Sequence, residues 1–431
     1  MSNLFINEFP PSSSAAWKQK IQFELDGADY NQTLLTKTIE GITISPFYHL
    51  DTFEKLIVPL PKEDSKIGAK ITIASEETAN SEALTAIEKG ATAILFEASK
   101  PCNAALLFHN LLHKNIEFHF KFSFLDEGFI NKLVLKLGAE TAYFNIDIIG
   151  NLARTGNWFI AFKKDYSILE NLIKKNPDAF IISVNAGIYQ NAGANIVQQI
   201  AYALAQANEY LTVFGAEIAN RIQFNFATGS NYFFEIAKIR AFRYLYNLVL
   251  GEYNTTAIAK IYAEPSLRNK TLYGAAINTL RTTAESMSAI LGSATTIATN
   301  FTSDKFTQHE QSVLNETRTF KNAQHIATDA YYIEFVTKQL AEKALIIFKD
   351  IEKGGGFLSQ LKEGTIQRKI KENAQKEQHQ FDTNALVLLG INKYPHQFDS
   401  EEDVKVKPFL KRKSYQTLII PILPKRLAEK L

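Results

Sequence analysis

The chain has 431 residues, 46% hydrophobic, 21% charged and 12% aromatic, with 47 Lys and Arg against 45 Asp and Glu. That balance excludes a disordered chain and a nucleic-acid binder that works through a broad basic face. The single cysteine, Cys102, has no disulfide partner within the chain and points to a reducing cytoplasm.

Residues 1–60 read as an arm. Met1–Pro11 carries Glu8 and two prolines with no basic flank, unlike a signal peptide. Phe9-Pro10-Pro11, Trp17 and a short helix ending near Gly27 suit a segment that lies on another surface, so Phe9 and Trp17 are candidates for docking a partner.

Residues 61–353 alternate short β-branched or aromatic runs with amphipathic ones. Eight strands are predicted: Lys70–Ser75, Ala91–Ala98, Ile116–Phe124, Thr141–Ile148, Ala179–Ala186, Arg221–Phe226, Ile258–Pro265 and Thr295–Phe301. Helices are predicted between them at Ser81–Gly90, Ala104–Lys114, Tyr166–Asn176 (with Asp165 as N-cap), Ala194–Phe214, Asn231–Glu252 and Leu272–Leu291. Tyr331–Lys353 follows the last strand after an irregular stretch. Alternating strands and helices imply parallel pairing, and eight units close a (β/α)8 barrel. No G-x-G-x-x-G or G-x-x-x-x-G-K-[ST] marks a doubly wound sheet instead.

Residues 354–431 hold a charged helical segment and a tail, Glu401–Leu431, with the apolar run Leu418–Leu423 as a second docking candidate. The uncharged stretches Ala179–Asn208 and Ser286–Ser303 are too rich in amides or hydroxyls to span a membrane.

Barrel chemistry sits at the C-terminal ends of strands. The predicted ends offer Glu76, Glu77, Glu97, Asp126, Asp147, Asn185, Asn225 and Glu264, with no lysine or histidine. Several of these carboxylates also suit helix N-caps. His109 and His113 share a predicted helix face but lack a third metal ligand, His119 reads as a core histidine, and His309 and His325 fall in the irregular stretch. Cys102 stands where a helix dipole lowers a thiol pKa, although a buried inert thiol is the plainer reading. Arg240, Arg243 and Glu235 read as a charged helix face. No metal site is predicted.

The segment Arg221–Leu250, RIQFNFATGSNYFFEIAKIRAFRYLYNLVL, resembles the methylmalonyl-CoA mutase family, with its R-L-S-F-F-type strand and F-F-x-E-I-A-K-x-R-A-x-R helix. Asn269–Gly292, Tyr331–Ala344, Gly355–Gln367 and Gly390–Tyr394 are similar to further family elements. Phe9-Pro10-Pro11, Trp17, Leu25–Asp29 and Glu40-Gly41 look like the family's small-subunit version. The resemblance implies a barrel threaded by coenzyme A and capped by adenosylcobalamin, which a flavodoxin-like domain holds through D-x-H-x-x-G. That motif does not occur here, and the chain stops shortly after Gly390–Tyr394, where the domain would begin.

Catalytic positions depart as well. The family's G-Y-H-x-x-E-A-G-A corresponds to Ala186–Ala194, with Gly187 for the tyrosine and Ile188 for the histidine. An isoleucine cannot hydrogen-bond a thioester carbonyl. The D-P-Y element is Gly274-Ala275-Ala276, the D-P-x-G-G-S-Y-Y turn is His325–Tyr332, and R-Q-Y-A-G is absent. Gln190, Arg221 and Gln223 are left as candidate remnants of a substrate channel. The resemblance therefore implies a non-catalytic small subunit whose large partner binds adenosylcobalamin and interconverts (R)-methylmalonyl-CoA and succinyl-CoA. A CoA ester is expected to meet this chain only through the complex. Two rivals stay open: a free-standing barrel that binds a CoA ester without cobalamin, and an enzyme built on the strand-end carboxylates.

Overall fold

The computed structural model describes residues 11–272, 275–299, 308–320, 323, 325–395 and 416–428. Eight strands form a closed parallel barrel in sequence order, the last pairing with the first. They are β1 (Lys66–Thr72), β2 (Ala93–Ala98), β3 (Glu117–Phe122), β4 (Ala142–Ile146), β5 (Phe180–Asn185), β6 (Ile222–Thr228), β7 (Lys260–Pro265) and β8 (Thr296–Ala298). The expected (β/α)8 architecture is the observed one.

Strand periodicity sorts the side chains. Outward residues such as Ile67, Ala69, Ile71, Phe118, Phe120, Phe224 and Phe226 join one apolar core beneath the helices. Their neighbours in sequence point to the barrel axis and are mostly polar. At β4 the pairing with β5 shifts register between Tyr143 and Ile146, and Asn145 takes a left-handed φ of 50°. Asparagine tolerates that conformation better than most residues.

Local chemistry sets the helix starts. Ser75, Asp126 and Asp147 cap the helices Glu76–Glu88, Glu127–Leu137 and Ile148–Thr155, and Asn195 with Gln198 forms a capping box for Ile196–Phe214. Two expectations are corrected. Asp165 lies inside the helix Phe162–Lys175, and its carboxylate reaches back to the N–H groups of Phe159, Ile160 and Ala161. The helix at Ala104 ends at Leu107, so His109 and His113 share no helix face; His113 instead sits in a turn with φ 63°.

The arm contributes the helices Ser14–Glu24 and Tyr30–Leu34, then packs Tyr48 and Phe53 on the helix Tyr331–Lys353. Ring centroids lie 4.9 Å apart for both Tyr48–Phe335 and Phe53–Tyr331. Beyond the barrel, the helices Phe357–Lys362 and Thr365–Asp382 join the main core through Phe357, Leu361, Ile366 and Ile370. Among the described residues, no helix is long and apolar enough to cross a membrane.

Candidate functional site: the barrel axis and its C-terminal mouth

The axis is filled by contacts within and between strands, several of them between strands that are not neighbours. His119 of β3 stacks on Tyr143 of β4 at 4.6 Å and meets Tyr262 of β7 across the barrel at 4.9 Å. Glu117 of β3 accepts a hydrogen bond from Thr296 of β8 at 3.2 Å. Gln223 of β6 donates to Asn145 of β4 at 2.8 Å and to Asn225. His119 is 1% exposed, Tyr262 2% and Gln223 2%, whereas Glu117 and Asn145 are half-buried. In an open channel these side chains would be its wet lining. Glu117 illustrates the electrostatics: burial pushes its carboxyl up, but His119 and Lys66 outweigh that and hold it below its ordinary value.

Above this layer lie the charges of the mouth. Lys70 and Lys121 each approach the same oxygen of Glu97, at 3.1 and 3.0 Å. Burial raises the Glu97 carboxyl, yet the two ammonium groups win and bring it down to about 2. Glu97 and then Glu264 push Lys121 upward in return. The expectation that no lysine reaches a strand end is thus wrong. β1 begins at Lys66, four residues earlier than its predicted start, so Lys70 sits near the C-terminal end of the strand.

A cavity of about 150 Å³ remains here, lined by Lys70, Lys121, Glu264 and Ile188 and closed by Ile422 and Pro424. Those last two belong to a strap, residues 416–428. Leu418 and Ile419 donate to the Gly156 carbonyl at 2.9 and 3.2 Å, Ile422 to Ala153 at 2.7 Å, and Lys425 to Asn191 at 2.8 Å. Ile419 and Ile422 enter the main core. The run Leu418–Leu423 therefore packs Ile419 and Ile422 on its own barrel.

The other predicted residues take structural or peripheral places. Glu76 accepts the Asn103 N–H, and Asp126 caps its helix. Asp147 accepts from Gly150, Asn185, Gln206 and Tyr210, the full set for a buried cap. Gln190 bonds Ser266 at 2.8 Å in a separate pocket of about 300 Å³ that Glu235 and Arg268 also line. Arg221 donates to the carbonyls of Asn176 and Pro177 at the opposite, N-terminal rim. Of the three channel candidates, only Gln223 lies in the interior. Gly187 opens the helix Gly187–Asn191, and a Cβ there would stand 3.2 Å from Asn185 Oδ1, so any larger side chain would require Asn185 to shift. Trp17 is exposed on the arm beside Phe47, and Phe9 lies outside the described residues.

Cys102 is no activated thiol, since burial and then Glu76 push it up to about 11. Among the described residues, no cluster of His, Cys, Asp and Glu could hold a metal ion. The charged face expected of Arg240 and Arg243 is also corrected, because both guanidiniums are buried. Arg240 pairs with Glu334, and Arg243 donates to the carbonyls of Ala259 and Ser293. Lys238 pairs with Glu235, and Lys270 with Glu285 at 2.6 Å. The most recognisable sequence elements thus hold the scaffold together.

A profile of the family described as methylmalonyl-CoA mutase matches residues 139–418. The chain is 30% identical to a methylmalonyl-CoA mutase small subunit from Porphyromonas gingivalis, over 90% of this chain and 71% of that one. It is also 30% identical to a methylmalonyl-CoA mutase from Cereibacter sphaeroides, over 53% of this chain but 35% of that protein. A 2-hydroxyisobutanoyl-CoA mutase large subunit from Aquincola tertiaricarbonis is 25% identical over 30% of this chain and 25% of its own. With the barrel and these matches together, the chain belongs to the methylmalonyl-CoA mutase family.

Proposed function

We propose that the chain is the small, non-catalytic subunit of a heterodimeric, adenosylcobalamin-dependent methylmalonyl-CoA mutase. The large partner binds the cofactor and carries out the interconversion of (R)-methylmalonyl-CoA and succinyl-CoA. This chain supports the partner through a permanent interface, for which ~2,000 Å² or more of buried surface is expected. We place the pair in the cytoplasm.

The observation that carries this reading is the contact of His119 with Tyr262 through the barrel axis. A pantetheine arm would need that space. At the mouth, the cavity of about 150 Å³ is smaller than ordinary ligand pockets of roughly 300–1,000 Å³. Ile422 and Pro424 line that cavity, and the nearest counterpart of the family's histidine is Ile188. Neither the barrel axis nor this mouth cavity fits either group, which supports assigning cobalamin and the CoA ester to the partner. Similarity to the Porphyromonas small subunit supports the pairing.

Co-expression with a large mutase subunit tests the proposal. The two chains are expected to co-purify in equal amounts, with the large chain melting at a lower temperature when alone. Alanine at Phe9 and Trp17 is expected to weaken the pair if the arm docks. Titration of the isolated chain with methylmalonyl-CoA is expected to give no heat of binding. Tight binding would favour a free-standing CoA-ester module instead.

A further inference from the structure

We infer that the groove between the helix Thr365–Asp382 and the strap is a docking surface for an apolar, acidic segment of the partner chain. The inference rests on the heterodimer proposed above and says where and by what chemistry the two chains meet.

The strap alternates its side chains. Ile419 and Ile422 are buried, whereas Leu418, Ile420 and Leu423 are 69%, 70% and 46% exposed. Three large aliphatic groups within six residues are more than the scattered single exposures of an ordinary surface. Ile420 and Leu423 form one wall of a groove of about 710 Å³, and Ile370 and Ala374 of the helix contribute to the other. Gln367 fixes the two walls by donating to the Ile420 carbonyl at 3.0 Å, and Gln378 does so by donating to the Leu427 carbonyl at 3.2 Å. A groove held in this way loses little freedom on binding.

Charge selects the occupant. Lys371 and Lys425 line the groove against one carboxylate, Asp382, while Arg368 is paired with Glu372 at 3.0 Å. In sequence the strap also follows Lys411-Arg412-Lys413. A segment with aliphatic side chains flanked by Asp or Glu complements both the walls and the rim.

The test uses the full chain and the purified large subunit. One variant combines Ile420→Asp with Leu423→Asp; a second combines Lys371→Glu with Lys425→Glu. All four positions are exposed, so the melting temperature of the isolated chain should stay within a few degrees of the parent. The apolar pair is expected to weaken binding of the large subunit at least tenfold. The charge pair is expected to weaken it several-fold and to flatten its dependence on salt. Parent-like affinity for both variants would overturn the groove while leaving the heterodimer intact. A parent chain that does not bind the large subunit would overturn both. Loss of self-association by the apolar pair, with partner affinity unchanged, would assign the groove to a second copy and overturn the inference.

Discussion

Lys121 Nζ lies 3.0 Å from Glu97 Oε1 inside the mouth of the barrel, and Lys70 approaches the same oxygen from the other side. These groups satisfy one another. Glu97→Gln removes the shared anion and leaves two ammonium groups facing each other. Both partners keep some contact with solvent, so the expected loss is about 1–2 kcal/mol, below the range for a fully buried pair. Urea unfolding at pH 7 measures it.

The same pair sets a pH dependence. The folded-state pKa of Glu97 is lowered to about 2, so its contribution is present above the unfolded value of ~4.3 and is lost as pH falls through that window. The stability gap between the parent and Glu97→Gln should therefore close between about pH 4.3 and pH 2. A gap that is the same size at pH 7, pH 4.3 and pH 2 would show that the carboxylate is not held by the lysines.

Gly156 anchors the strap. Its φ is 80°, and a Cβ would lie 2.7 Å from the Ile419 carbonyl oxygen and 2.8 Å from Thr417 Cβ. Gly156→Ala is expected to cost about 1–3 kcal/mol and to loosen residues 416–428. Limited proteolysis should then cut the tail faster than in the parent, while the barrel stays resistant.

Lys270 and Glu285 test the view that the recognisable helix motifs are structural. Both side chains are fully buried at 2.6 Å, with Asn269 completing the carboxylate. Glu285→Gln strands a buried ammonium and should lower stability by ~3–5 kcal/mol. Replacing the pair together by Lys270→Met and Glu285→Leu should recover most of that loss. Chemical denaturation of the three proteins separates the outcomes.

Much of the barrel was legible because its signals are local. Glu117-Phe118-His119-Phe120-Lys121-Phe122 alternates without a break, and Tyr331–Lys353 has the boundaries its apolar period predicts. What escaped was long-range. Gly68 disguised the first half of β1, although a Cβ there would meet only ordinary contacts, the nearest 3.4 Å away at the Ile297 carbonyl. That error hid Lys70, and with it the partners of Glu97. Strand alternation alone would have put Lys121 on the axis. The strap could not be read at all, since Ile422 meets Ala153 across a sequence gap that no local pattern spans.

Cys102 offers a simple check on the electrostatics of the β2 end. With the thiol pushed up to about 11, alkylation by iodoacetamide should be slow at pH 7.5 and climb about tenfold per pH unit, levelling off only near pH 11. Fast modification at neutral pH would contradict that environment.

The most direct test of the central claim is turnover by the isolated chain. Purified protein supplied with adenosylcobalamin and (R)-methylmalonyl-CoA is expected to form no succinyl-CoA, while the same preparation added to the large subunit yields an active complex. Succinyl-CoA formed by the chain alone would contradict the account.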